Sequence, residues 1–561
     1  MWQRSKEKDI DQGMNKDLTQ GKPAKVLWLF CLPILISAIF QQFYNMADSI
    51  IAGKVLGEDA LAAVGASYPI TMIFTAVAFG FNLGCSAVTS KFFGEKNYRD
   101  LKSGVSTVMI ASVVLGAMLT AVGVGAGRAL MQLLDTPADI MDDAMSYLYI
   151  YTGGFLFVLV YNVCTGVYSA LGDSRTPLVF LVASSVANVG MDLLFTMVIP
   201  MGVAGLAWAT FICQGAAGVI CMITMFRRVR RLPGENKVPV FSWRLLGQMF
   251  YVAVPSVVQQ SVVSVGNLLI QYLVNGYGAS VVAGYSAAIK LNTFIVTSLS
   301  TVAGGLTNFT AQNLGAGELG RAKRGTLAGL AMAAVMVLPF SLSYALAPET
   351  MLSLFLEDGS SAALSTGVGF LTIVAPFYIT VGSKVMFDSV LRGAQSMTSF
   401  MFATLTDLVI RVALCFALDP VLGIEGIWWS WPIGWGVSTA VSAGIYLAGR
   451  WYKSARAKAK FAALAAGARE NGAEEQEGLA PAAEQDVPAV TLASAEQNIP
   501  AVACAAAEQN PAPAFAVCGA EQPALSSEQS APAFDSSSRP PRTPSRRGGG
   551  NHDGHGFRHA N

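Results

Sequence analysis

Long apolar blocks separated by short polar breaks run along the chain from about residue 26 to residue 449. A membrane helix needs about 20 mostly apolar residues. Windows of that length predict twelve spans, at 26–53, 60–90, 101–127, 140–171, 178–198, 202–226, 244–276, 279–312, 322–346, 363–392, 399–419 and 423–449. Several are longer than a bilayer requires, which implies tilt or extension beyond it. The predicted fold class is an all-α polytopic membrane protein.

Lys and Arg decide the orientation. The N-terminal segment, the alternate loops and the first residues after the last span hold 26 of them, and the intervening loops hold only Lys54 and Arg128. The positive-inside rule then places both termini in the cytoplasm of a bacterial inner membrane. Composition agrees with a chain that lives in lipid: 53% of residues are hydrophobic and 13% charged, against about 25% charged in soluble domains. The net charge of +1 gives no reason to expect a nucleic-acid partner. Of eight cysteines, Cys31, Cys85, Cys164, Cys213, Cys221 and Cys415 lie in apolar stretches without paired spacing and read as buried thiols. All three histidines, His552, His555 and His559, fall in the last ten residues, so none serves metal or acid–base chemistry in the membrane. Residues 1–25 are polar and lack a cleavable signal pattern.

Residues 451–561 differ in kind, being rich in Ala, Pro, Glu, Gln and Ser, with Glu-Gln pairs at 484, 496, 508 and 521 marking a degenerate unit. Such a composition buries too little apolar surface to offset the entropy of ordering. The expected organisation is therefore a cytoplasmic segment 1–25, a first lobe 26–226, a basic linker 227–243, a second lobe 244–450 and a disordered low-complexity tail 451–561.

The two lobes are repeats of each other at an offset of 221 to 223 residues. Leu32-Pro33 aligns with Val254-Pro255, Asn45 with Asn267, Lys91-Phe92-Phe93-Gly94 with Gln312-Asn313-Leu314-Gly315, and Gly202, Gly205 and Trp208 with Gly423, Gly426 and Trp429. Six spans lie in each half, so both halves have the same orientation and should be related by an axis along the membrane normal, as in parallel-repeat transporters.

Five stretches carry a family likeness. Gln41-Gln42-Phe43-Tyr44-Asn45-Met46-Ala47-Asp48 precedes Ala62-Ala63-Val64-Gly65; Gly172-Asp173-Ser174-Arg175-Thr176-Pro177 follows the fourth span; Leu391-Arg392-Gly393-Ala394 follows the tenth, with Gly202-Val203-Ala204-Gly205 before the sixth. In order and spacing the whole stretch from about 25 to 450 resembles the multidrug and toxic compound extrusion (MATE) transporters. The resemblance implies a two-lobe secondary active antiporter that exports organic, often cationic, compounds in exchange for H+ or Na+ by alternating access. It implies no cofactor beyond that coupling ion and no catalysis. Its partners would be small organic molecules and the lipid bilayer, and the chain is expected to work as a monomer.

An acid inside a membrane is costly and marks function by default. Asp48 on the first span and Asp192 on the fifth stand out, and Asn188 shares a helical face with Asp192. Asp48, Asp192, Thr210 and Tyr147 all fall at a similar depth below the same membrane face, by 1.5 Å per residue. The repeat aligns Asp48 with Ile270, Asn188 with Arg411 and Asp192 with Cys415, so the acid pair belongs to one lobe alone. The resemblance carries Asp48, Asn188, Asp192, Thr210 and Tyr147 onto the N-lobe cation site of the MATE transporters. Two close carboxylates in a low dielectric do not readily both ionise, and the same oxygens at Asp48, Asn188 and Asp192 would suit Na+.

Pro33 lacks an N–H in mid-membrane and is a candidate hinge. In the second half Lys384/Asp388 and Asp407/Arg411 are opposite charges four apart, which predicts internal ion pairs. Gln259 and Gln260 stand where some family members carry an acid. Gln41, Gln42, Phe43, Tyr44 and Gln259 are candidate substrate contacts, through dispersion and cation–π interactions. The alternatives are a lipid-linked oligosaccharide flippase of the same superfamily, which would have more spans and more cavity cations, and a polytopic membrane enzyme, which would have catalytic His or metal ligands.

Overall fold

The computed structural model describes residues 17–134, 136–353, 355–356 and 361–452. Most of the expected segment 1–25 and all but the first residues of the tail 451–561 lie outside them. Twelve long helices make up the described chain. They are α1 (Pro23–Ile51), α2 (Glu58–Gly94), α3 (Tyr98–Leu133), α4 (Met141–Ala170), α5 (Arg175–Leu193) and α6 (Val203–Arg230) in the first lobe. The second lobe has α7 (Trp243–Asn275), α8 (Ala279–Gly315), α9 (Leu319–Leu346), α10 (Ser361–Val374 and Tyr378–Gly393), α11 (Met397–Leu422) and α12 (Ile424–Leu447). Eleven of these are long and apolar enough to cross a membrane. The other, α12, is diluted by Trp428, Trp429, Trp431 and Trp435, whose rings are less apolar than aliphatic chains.

Most helices run past a predicted end, although α4 and α12 stop just inside theirs. Helix α6 continues to Arg230, which shortens the basic connection to residues 231–242. The predicted tenth span is interrupted by a 3-10 turn, Ala375–Phe377, because Pro376 has no N–H to offer the α-helical ladder. Two further departures were not foreseen: α1 ends in a π-helical turn, Ala52–Leu56, and α5 ends in another, Leu194–Val198.

Backbone geometry reproduces the sequence repeat. Gly202 before α6 has φ 62° and ψ −145°, and Gly423 before α12 has φ 60° and ψ −144°. Both sit in a region that an L side chain rarely enters, which is why glycine recurs at this offset. The packing repeats as well. Helix α1 lies on α5 as α7 lies on α11, α2 on α4 as α8 on α10, and α4 on α6 as α10 on α12.

The lobes meet at the end of the bundle where α1 begins and α12 ends. There the C-terminal half of α2 presses on the N-terminal half of α7, and the C-terminal halves of α2 and α8 touch. A Cβ on Gly80 would lie 2.6 Å from the Val257 backbone, and one on Gly84 would collide with Ala253. Ser86 donates to Asn308 Oδ1 at 2.6 Å and Lys91 donates to Gln395 Oε1 at 3.1 Å. Gln312 donates to the Ala170 carbonyl at 2.7 Å and accepts from the Leu18 N–H at 3.1 Å. Leu18 is fully buried, so the strand of chain before α1 is wedged into this seam.

Candidate functional site

The acid site forms where α1 and α5 run side by side. The carboxyl groups of Asp48 and Asp192 face each other closely enough to interact directly. Tyr44, one helical turn before Asp48, lies within reach of that carboxyl and of the Thr210 hydroxyl on α6. Tyr147 on α4 lies within electrostatic reach of both acids, and its ring stacks on Tyr151 with centroids 6.1 Å apart. Residues from α1, α4, α5 and α6 thus converge, and of the sequence-selected set Asp48, Asp192, Thr210 and Tyr147 are brought together. Tyr44, selected as a substrate contact, belongs to this cluster too.

The cluster is under-satisfied. Asp192 is 1% exposed and neither of its carboxylate oxygens has a hydrogen-bond partner within ordinary geometry. Asp48 Oδ1 is buried and unpartnered, and so are both amide atoms of Asn188, which is 2% exposed. A buried carboxylate left without donors costs several kcal/mol unless a proton or cation joins it. The oxygen-rich donor set of two carboxyls, one amide and nearby hydroxyls suits either. A small apolar cluster of Ile51, Ala52 and Leu206, joined by Tyr147 and Val189, packs beside these residues apart from the main core.

The two π turns belong to the site. Asp48 precedes one by four residues and Asp192 precedes the other by two, and the turns touch each other. Thr196, inside the second, donates its hydroxyl to the Asp192 carbonyl at 2.6 Å. Widened turns of this kind gather at functional sites. The equivalent stretch of α11 is ordinary α-helix, whereas α7 ends at Asn275, within the stretch that matches the first turn, and passes into a hydrogen-bonded turn without a π turn. Periodicity in the sequence carries no signal for a single π turn, so composition could not reveal them.

Pro33 lies inside α1, and its carbonyl accepts from Ser37 Oγ at 2.9 Å. Phe43 is 60% exposed and Gln41 is exposed, whereas Gln42 is half-buried. Gln259 is committed elsewhere: its carbonyl oxygen accepts from Arg392 Nη2 at 2.6 Å. In the second lobe Lys384 pairs with Asp388 at 3.0 Å, as expected. Asp407 takes Lys384 at 3.8 Å instead of Arg411, because Arg411 turns toward α7 and α12, where Asn267 and the Trp431 ring hold it.

A family model described as MatE matches this chain twice, over residues 33–194 and 255–417. The chain belongs to the MatE family. The two matches begin 222 residues apart, the offset of the internal repeat. A probable multidrug resistance protein, YpnP of Bacillus subtilis strain 168, is 27% identical over 436 residues, which cover 78% of this chain and 97% of that protein. A protein named FAD transporter from Shewanella oneidensis is 25% identical, over 73% of this chain and 91% of its own length. Among solved structures, an outward-facing conformation of a multidrug resistance MATE family transporter superposes with a TM-score of 0.72 at 22% identity, covering 79% of this chain and 98% of that one. Twelve long helices in two repeated lobes are the fold of the described residues of this MatE chain, and its named relatives include proteins called transporters and multidrug resistance proteins.

Proposed function

We propose that this MatE protein exports organic compounds from the cytoplasm by secondary active antiport, with Asp48 and Asp192 taking up H+ or Na+. The carrying observation is the buried, under-satisfied acid pair in one lobe, matched by Ile270 and Cys415 in the other. A pair needed only to hold helices together would be expected at both equivalent positions. Lysine and arginine counts favour a cytoplasmic location for the end where α1 begins and α12 ends. In that orientation the packed seam at that end closes the path inward, and the acids lie toward the open outer side. Cation entry there, followed by rocking of the lobes about the seam, would expose the substrate site to each side in turn. Linkage then requires cation and substrate to oppose each other's binding. The relatives named for multidrug resistance support a broad organic substrate range.

The test is gradient-driven transport in vesicles with H+ and Na+ gradients imposed separately. Asp192→Asn keeps size and removes the charge, so the protein should express and fold while concentrative export collapses; Asp48→Asn should impair it similarly. Wild-type export rates in Asp192→Asn at matched protein levels would place coupling elsewhere.

A further inference from the structure

The second lobe carries the opposite charge at the position of the acid site. Where α5 presents Asn188 and Asp192, α11 presents Arg411 and Cys415. Arg411 ends a row of buried charges in which Lys384 lies within electrostatic reach of Arg411, Asp407 and Asp388, and Arg392 stands at the far end beside Asp388. The two acids are accounted for. Lys384 contacts both, at 3.0 and 3.8 Å, and the Ser442 and Ser438 hydroxyls donate to Asp388 and Asp407 at 2.7 and 3.3 Å. Neither guanidinium pairs with a carboxylate among the described residues. Arg392 is held by Gln259 and lies 4.6 Å from the Phe400 ring centre. Arg411 Nη1 donates to Asn267 Oδ1 at a long 3.3 Å, and its guanidinium lies 4.8 Å from the Trp431 ring centre. The Nε of each is buried without an acceptor. Three cations against two acids leave one positive charge uncompensated inside an apolar bundle, an arrangement that marks a functional group.

Access comes through α7. Its residues Ser264, Asn267 and Gln271 form one polar stripe, the counterpart of Gln42, Asn45 and Ser49 on α1, and Asn267 is exposed. An exposed amide in mid-helix is tolerated where it lines a water-filled cleft and is costly against lipid. Asn267 therefore stands between the cleft and Arg411, holding it by one long neutral contact. A carboxylate, sulfonate or phosphate would meet the same guanidinium with shorter, charge-assisted and bidentate bonds.

We propose that Arg411 is a docking point for an anionic group of the exported compound, with Asn267 as its resting partner. The second lobe would then select anionic or zwitterionic substrates while the acids of the first lobe handle the coupling cation. This rests on the export reading and extends it to substrate class.

The experiment uses the purified full-length protein, with carboxyfluorescein as an anionic probe and ethidium as a cationic one. Binding is read by anisotropy and export from phosphatidylcholine vesicles, with and without added phosphatidylglycerol. Arg411→Gln should weaken carboxyfluorescein binding about tenfold or more, the scale of one lost charge-assisted hydrogen bond, and leave ethidium unchanged. Arg411→Lys should retain part of the affinity, and Asn267→Ala, which releases the guanidinium, should tighten it. Binding of carboxyfluorescein that is absent, or indifferent to both Arg411→Lys and Asn267→Ala, overturns the docking site even if Arg411→Gln cannot be purified. Equal loss of both probes in a folded Arg411→Gln assigns Arg411 a structural role and also overturns it. Displacement of the probe by phosphatidylglycerol reassigns the site to lipid headgroups. Failure of the wild type to export either probe, with Arg411-dependent binding intact, refutes the export reading alone.

Discussion

Gly80→Ala tests whether the seam at the end where α1 begins and α12 ends is one side of a two-state switch. The added methyl would lie 2.6 Å from the Val257 Cα and N, so backbone, not a swinging side chain, must give way. Overpacking of this kind costs about 1–3 kcal/mol. At about 1.4 kcal/mol per factor of ten, the ratio of open to closed seam should rise about 5- to 150-fold. Cys31 is a native reporter. Its side chain is 0% exposed, packed against Gly305 in α8, with Sγ 3.8 Å from the Val302 carbonyl. In a chain keeping Cys31 as its sole cysteine, alkylation by N-ethylmaleimide reads the open population, and the Gly80→Ala rate should rise by that factor. The same substitution at Gly65, also in α2, meets nothing within 4 Å and supplies the helix-propensity control, worth about 1 kcal/mol. Unchanged Cys31 reactivity in Gly80→Ala, or an equal rise in Gly65→Ala, would refute the switch.

Leu18→Ala should raise Cys31 alkylation as well, because removing a fully buried leucine side chain from the closed seam costs about 2–5 kcal/mol; a rate equal to wild type would show that the wedge does not hold the seam. Asp173 pairs with Arg228 at 2.6 Å, both buried, and accepts from the Arg175 and Thr176 N–H groups. Breaking such a pair costs about 3–5 kcal/mol, so Asp173→Ala should lower the melting temperature in detergent clearly, and an unchanged melt would contradict that. Lys102 Nζ donates to the Leu232 carbonyl at 2.9 Å and to Asn236 Oδ1 at 2.8 Å, pinning the connection between the lobes. Lys102→Met should therefore speed tryptic cleavage within 231–242 several-fold while other loops stay resistant; equal cleavage rates would count against the pin.

The sequence alone determined the number of helices, the repeat and the residues worth suspecting. Apolar blocks of bilayer length admit only helices in lipid, and Gly202 and Gly423 announce their backbone before any coordinates exist. Asp48, Asn188 and Asp192 were legible because a polar residue in such a block stands out against its neighbours. Tertiary structure decided what these residues meet. It set Tyr44, a candidate substrate contact, beside the acids as well, because it lies one helical turn from Asp48 and within reach of Thr210 on α6. It also gave Asp407 to Lys384 and left Arg411 to Asn267 and Trp431. Spacing of four along one helix makes a pair available; which partner wins depends on donors arriving from other helices. The π turns after Asp48 and Asp192 were equally hidden, since one extra residue in a turn leaves apolar composition unchanged and arises from how two helices pack.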